Sequence, residues 1–307
     1  MLSLRRVAQL RGHNAAIYAL SAYRTPQQFL SAGGDGWLVL WDLANLPDGK
    51  LLAKVDGNIF ALAYLADRNL AIVGTMHGGV HWLDLNNNQQ IAQPQAHKGG
   101  TYALYHWQNK LYSAGADGRL ICWDIDAQQK QESLHLSHQN LRSITAIADS
   151  PYLAVSGSDG AIYIVDYQNF ALVHTIPTAH DGSIFSLLYN PATYMLWSGA
   201  KDAFLRQWSI GENIANISLQ YEQPAHLFTL NDLAASPCGQ YIASASRDKT
   251  IKIWRSKNAE LLKVIDTIRH GAHTHSVNAL LWTSYQNNWL VSASDDRSLM
   301  IWALASE

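Results

Sequence analysis

One phrase recurs along the chain and limits what it can fold into. It reads "SAGGDGWLVLWD" (31–42), "SAGADGRLICWD" (113–124), "SGAKDAFLRQWS" (198–209), "SASRDKTIKIWR" (244–255) and "SASDDRSLMIWA" (292–303). Two weaker copies, "VGTMHGGVHWLD" (73–84) and "VSGSDGAIYIVD" (155–166), occupy the gaps. The matching residues Trp41, Leu83, Trp123, Val165, Trp208, Trp254 and Trp302 are spaced by 42, 40, 42, 43, 46 and 48 positions. Seven units therefore fill the chain. A period of this size marks an architecture in which each unit buries its apolar face only against its neighbours.

Within a unit the runs are short and rich in β-branched and aromatic residues. In the sixth, "LNDLAA", "YIASAS", "TIKIW" and "ELLKVI" are separated by "SPCGQ", "RDK" and "RSKNA". Such runs between turn residues are strands, and the turns recur too often for helices. Four strands per unit predict one propeller blade. The fold class is all-β: a seven-bladed β-propeller of four-stranded antiparallel blades, as a single domain over residues 1–307.

A "GH"-like dipeptide, then an Asp in a tight turn, then "WD" six residues after that Asp resembles the WD-repeat family of propellers. The dipeptide reads "GH" at 12–13, "AH" at 96–97, 179–180, 225–226 and 272–273, and "SH" at 137–138. The resemblance covers essentially the whole chain. Only five residues follow Trp302. The last blade therefore lacks an outer strand of its own, and residues 4–10 are expected to supply it and close the ring.

The resemblance also implies a buried polar network in each blade, and its chemistry is self-consistent. An indole N–H only donates, a serine hydroxyl accepts and donates onward, a neutral imidazole does both, and an ionised Asp only accepts. Five complete sets are expected: His13, Ser31, Asp35 and Trp41; His97, Ser113, Asp117 and Trp123; His180, Ser198, Asp202 and Trp208; His226, Ser244, Asp248 and Trp254; His273, Ser292, Asp296 and Trp302. Ser, His and Asp together suggest a hydrolase triad, but an active site is made once and this constellation is made five times. Blade two departs from the pattern, with Val73, His77 and Leu83 in the Ser, Asp and Trp slots. Blade four carries His138 and Asp159, with Val155 and Val165 in the Ser and Trp slots and Ser156 one position late. Both blades are expected to hold by apolar packing.

The stretch "RHGAHTHSV" raises the question of a metal, with His270, His273 and His275 close in sequence. Structural zinc takes four ligands, and no fourth is evident. His273 falls in the repeat slot, and the other two are expected in solvent. No metal and no cofactor are expected.

Composition narrows the function classes. The chain is 48% hydrophobic and 15% charged, with 11 tryptophans, a formal net charge of −2 and a pI near 6.7. That balance gives no support for nucleic-acid binding. Two distant cysteines, Cys122 and Cys238, exclude a disulfide framework and suit a reducing compartment. The first twenty residues hold no signal-peptide core, and no apolar run is long enough to span a membrane. A cytoplasmic protein, without nucleic-acid or membrane partners, is expected.

No phosphate loop, paired-cysteine motif or activated nucleophile is visible, so no enzyme is expected. In the family this chain resembles, partners commonly dock on the narrower top face. The resemblance takes its side chains from three slots per blade: three and five residues after the repeat histidine, and just before the turn Asp. These are Ala16, Tyr18 and Gly34; Asn58, Phe60 and Met76; Gly100, Tyr102 and Ala116; Ser143, Thr145 and Ser158; Ser183, Phe185 and Lys201; Thr229, Asn231 and Arg247; Ser276, Asn278 and Asp295. Ile59 sets the phase in blade two and Ile144 in blade four. Tyr18, Phe60, Met76, Tyr102 and Phe185 form an apolar shelf, Lys201 and Arg247 a basic rim, and His77, Asn278 and Asp295 complete the candidate partner surface. The expected function is a non-catalytic scaffold or adaptor, monomeric alone and a subunit of a complex, that binds a peptide or loop of a partner protein. The alternative is a small-ligand or metal sensor using the central channel or top-face histidines.

Overall fold

Short runs of β-formers cut by turn residues fold into strands that pair with their sequence neighbours. The computed structural model describes residues 2–306 except 88, 94, 212, 213 and 287. It holds seven four-stranded antiparallel sheets. Six of them take four consecutive strands each, over residues 17–54, 59–93, 101–135, 141–176, 184–224 and 230–265.

The seventh blade is built from both ends of the chain. Strands Val277–Thr283, Trp289–Ser294 and Ser298–Ser306 are completed on the outside by Leu2–Arg11. Leu2 stands opposite Ser306 and Arg11 opposite Ser298, with a register shift between Arg6 and Ala8. The N-terminal strand thus closes the ring as expected, and runs beyond residues 4–10 at both ends.

The core lies between blades rather than within them. Ile17, Phe29 and Trp41 of blade one pack against Leu10, Ala279, Val291 and Ile301 of blade seven. Leu30 and Leu38 of blade one meet Ile59 and Val73 of blade two. The turn that carries each repeat Asp also abuts the loop entering the next blade. Gly36, at φ 71°, leaves no room there: an added Cβ would lie 2.3 Å from the Val55 carbonyl oxygen.

The innermost strand of every blade carries a β-bulge after its first residue. Register skips from Ile17 to Ala19, Ile59 to Ala61, Thr101 to Ala103, Leu141 to Ser143, Ile184 to Ser186, Leu230 to Asp232 and Val277 to Ala279. A bulge re-aims the extra side chain. The seven extra residues are Tyr18, Phe60, Tyr102, Arg142, Phe185, Asn231 and Asn278, and all seven line one central cavity of about 400 Å³.

Candidate functional site

The five polar sets stand as hydrogen-bonded chains beneath the top face, the face that carries the aspartate turns. Each indole N–H donates to its serine at 2.8–2.9 Å. Each serine lies 2.7–2.9 Å from the histidine Nε2. Each histidine Nδ1 lies 2.9–3.1 Å from its aspartate. Burial holds His13, His180 and His226 below the ordinary histidine range despite the neighbouring carboxylates, so these rings are neutral and Nδ1–H donates to Asp. The five serines are fully buried, at 0% exposure. The aspartates reach further, accepting the backbone N–H of the residue after the histidine: Asn14, Lys98, Asp181, Leu227 and Thr274. The network therefore fixes the backbone of the top-face loops.

Blade two has abandoned this chain. Val55, Val73 and Leu83 fill the His, Ser and Trp slots and share one apolar cluster, while His77 is exposed in the turn. Blade four differs from expectation. Ser137, not His138, takes the histidine slot: its backbone N–H bonds Gly118 O as His226 N–H bonds Ala203 O, and His138 is exposed. Its hydroxyl donates to Asp159, which also accepts from the Tyr163 hydroxyl. Val155 and Val165 are buried as expected, but a smaller polar set accompanies the apolar packing.

Phasing blade four on Ser137 rather than Ile144 moves its slots by three residues and changes the channel mouth. Counting from Ser137, the slots three and five residues on are Asn140 and Arg142, not Ser143 and Thr145. Arg142 is the bulge residue and lines the cavity, while Thr145, three residues along the strand, is buried and does not. The other six bulge residues are those the spacing gave. "LSHQNL" held the signal, because taking Ser137 as the histidine equivalent restores the four-residue step to the first strand residue, as from His180 to Ile184.

The mouth is half aromatic and half polar. Tyr18 and Phe60 have ring centroids 5.0 Å apart, and Phe60 and Tyr102 5.8 Å. The Arg142 guanidinium carbon lies 4.2 Å from the Tyr102 ring centroid and 5.2 Å from that of Phe185. On the other side, Asn231 donates to Ser276 Oγ at 2.9 Å and Val277 O at 2.8 Å, and Asn278 donates to Asp295 at 2.7 Å and Ile17 O at 3.1 Å. These bonds tie blade six to seven and seven to one. Beneath them Asp232 accepts from Ser186 Oγ (3.1 Å), Leu233 N–H (2.8 Å) and Leu280 N–H (2.8 Å), joining blades five, six and seven. Burial pushes its carboxyl up to about 6 against these bonds. Burial and the charge of Asp295 raise the Tyr18 hydroxyl.

Around this ring Met76, His77, Lys201, Arg247 and Asp295 are exposed. The most exposed large apolar pair on the face is one the spacing missed. Leu227 and Phe228 are 85% and 59% exposed. The same two positions after the histidine slot hold Asn14–Ala15, Asp56–Gly57, Lys98–Gly99, His138–Gln139, Asp181–Gly182 and Thr274–His275 in the other blades. Comparing them across the repeats is the signal that would have found the pair. The histidines of 269–277 diverge: His273 sits in its network, His270 lies 3.9 Å from Asp266, and His275 is exposed beside Thr274. Among the described residues no three His, Cys, Asp or Glu side chains are grouped to hold a metal ion.

The family model described as "WD domain, G-beta repeat" matches residues 4–42, 217–255 and 263–303. The chain is 25% identical to an uncharacterized WD repeat-containing protein of Schizosaccharomyces pombe, over 66% of this chain and 53% of that protein. It is 21% identical to protein tipD of Dictyostelium discoideum, over 98% of this chain and 49% of that protein. The chain spans about half the length of these curated relatives. The WD40 β-propeller domain of Doa1 superposes with a TM-score of 0.86 at 17% identity, over 99% of this chain and 97% of that one. Matched by the repeat model in three places and folded into seven four-stranded blades, the chain is a β-propeller that carries WD repeats.

Proposed function

We propose that this chain is a non-catalytic interaction module and that its top face docks a loop or peptide of a partner protein. Propellers of this family generally mediate protein–protein interaction. The observation that carries the reading is the Leu227–Phe228 pair. Two large apolar side chains stand in water on a loop whose backbone is held by Asp248, at a position that is polar or small in every other blade. Exposed apolar side chains on a rigid support are the pattern of an interface anchor. Lys201 and Arg247 add cationic rim positions, and Tyr18, Phe60, Tyr102 and Phe185 extend apolar surface into the channel mouth. The complete burial of the five serines supports the non-catalytic reading, because no substrate reaches a hydroxyl beside its histidine. Cys122 and Cys238 are free thiols, in keeping with a cytoplasmic location.

The test replaces Phe228 with a photo-crosslinking phenylalanine analogue, and separately Leu172 on an outer strand. The expected outcome is a partner adduct from position 228 and none from 172. Affinity for the captured partner should fall with Leu227→Asp, and by on the order of 2 kcal/mol with Tyr102→Ala if that ring is a hot spot. Arg247→Glu should slow association and alter its salt dependence, since rim charges act mainly on encounter. Equal adducts at both positions, or unchanged affinity in all three variants with normal melts, would remove the site from the top face.

A further inference from the structure

We propose that the channel mouth contains a carboxylate-binding subsite built on Arg142, and that its ligand is the acidic side chain of a peptide entering from the top face. The inference deepens the docking reading, since the group arrives from that face. Three arginines of the described residues are partly buried: Arg68, Arg142 and Arg206. Arg68 lies against Asp67 and Asp126, and Arg206 against Asp202 and Glu222. Arg142 pairs with no carboxylate among the described residues. Asp232, on the same channel wall, engages both of its oxygens with Ser186, Leu233 and Leu280.

The guanidinium is nevertheless held in place. Its Nε–H donates to Ser158 Oγ at 3.0 Å, and with the Asn140 amide oxygen turned toward it Nη2 donates at 2.9 Å. Tyr102 and Phe185 flank it from the neighbouring blades. The Tyr102 side chain is its third hydrogen-bonding partner, so three of the five N–H donors are engaged. Burial lowers the affinity of the group for its proton, with Tyr102 acting against that, yet a guanidinium stays charged. A cation withdrawn from water, oriented by three hydrogen bonds and two rings, with donors left over, is preorganised for a planar anion. A carboxylate matches the planar fork and fits beside aromatic faces, and the cavity of about 400 Å³ admits a side chain and not a folded domain.

The experiment follows the Arg Nε–Hε resonances of the full chain by NMR, with Arg142 assigned by its loss in Arg142→Lys. The probes are the capped peptide acetyl-Gly-Ala-Glu-Ala-Gly-amide, its Gln counterpart, and inorganic phosphate. Saturable movement of the Arg142 signal with the Glu peptide is expected, with affinity at least about tenfold above that for the Gln peptide, a difference of about 1.4 kcal/mol. Read by calorimetry, Arg142→Gln should abolish Glu-peptide binding; if that variant melts early, Arg142→Lys, which keeps the charge and loses the fork, should weaken it instead. No saturable movement, equal response to the Gln peptide, or tighter binding of phosphate overturns the assignment. Leu227→Asp should leave this titration unchanged. A subsite that titrates normally while partner affinity ignores Leu227→Asp sinks the docking reading alone. A silent Arg142 with partner affinity lost in Leu227→Asp sinks the subsite alone.

Discussion

The tryptophan indole is the residue-scale reason these blades need a polar network, because it donates one hydrogen bond and accepts none. Trp254 donates to Ser244, Ser244 meets His226, and His226 meets Asp248. Burial opposes ionisation of Asp248, but His226, Thr250 and the Leu227 N–H outweigh it and hold the carboxyl well below the usual carboxylate range. A carboxyl depressed in the folded state contributes stability above its ordinary range, and that contribution is lost as pH falls through and below it. Asp248→Ala should cost about 1–3 kcal/mol in urea melts at neutral pH, and the gap between variant and parent should shrink in acid. His77→Ala, in a blade with no network and at an exposed turn, should cost almost nothing. Equal losses at both positions would contradict this division.

At the scale of the element, a blade is tuned by what fills its slots and by where its innermost strand bulges. Blade four keeps an aspartate for two hydroxyls instead of an imidazole, so Asp159→Ala should strand Ser137 and Tyr163 and cost about 1–3 kcal/mol, measured against the parent by chemical denaturation. The seam from blade five to seven depends on Asp232. Its carboxyl is raised to about 6 by burial. A carboxyl raised in the folded state stabilises fully below its unfolded value, and that contribution is lost as pH rises through about 6. The stability difference between parent and Asp232→Ala should therefore be larger near pH 5 than near pH 7.5. The opposite slope would mean that the carboxylate is favoured by its three hydrogen bonds rather than penalised by burial.

For the whole molecule, closure by Leu2–Arg11 decides whether the ring is complete. Deleting residues 1–11 removes Leu10 from the layer between blades seven and one and bares the edge of Ser298–Ser306. The truncated chain should melt well below the parent and self-associate, as an exposed edge strand pairs with other chains. A melting temperature within a degree or two of the parent would show that the strand is dispensable.

The sequence alone determined the all-β class, the number of blades, the strand that closes the ring and the membership of the five polar sets. Each follows from spacing repeated at short range, where the alternation of a strand and the turn after it leave a side chain one place to go. It also picked six of the seven residues at the channel mouth, because five of their repeats carry the histidine that sets the phase and Ile59 sets it in blade two. It lost Arg142, since phasing blade four on Ile144 rather than Leu141 set its slots three residues late, an offset that the register of Leu141–Ile147 corrects. The seams were decided by tertiary structure. Asp232 meets Ser186 and Leu280, separated from it by 46 and 48 residues, and Arg142 meets Tyr102 and Phe185 from two other blades. Those meetings depend on the bulge that turns each side chain and on the ring that brings neighbouring blades together, and neither is encoded in the spacing of any one repeat.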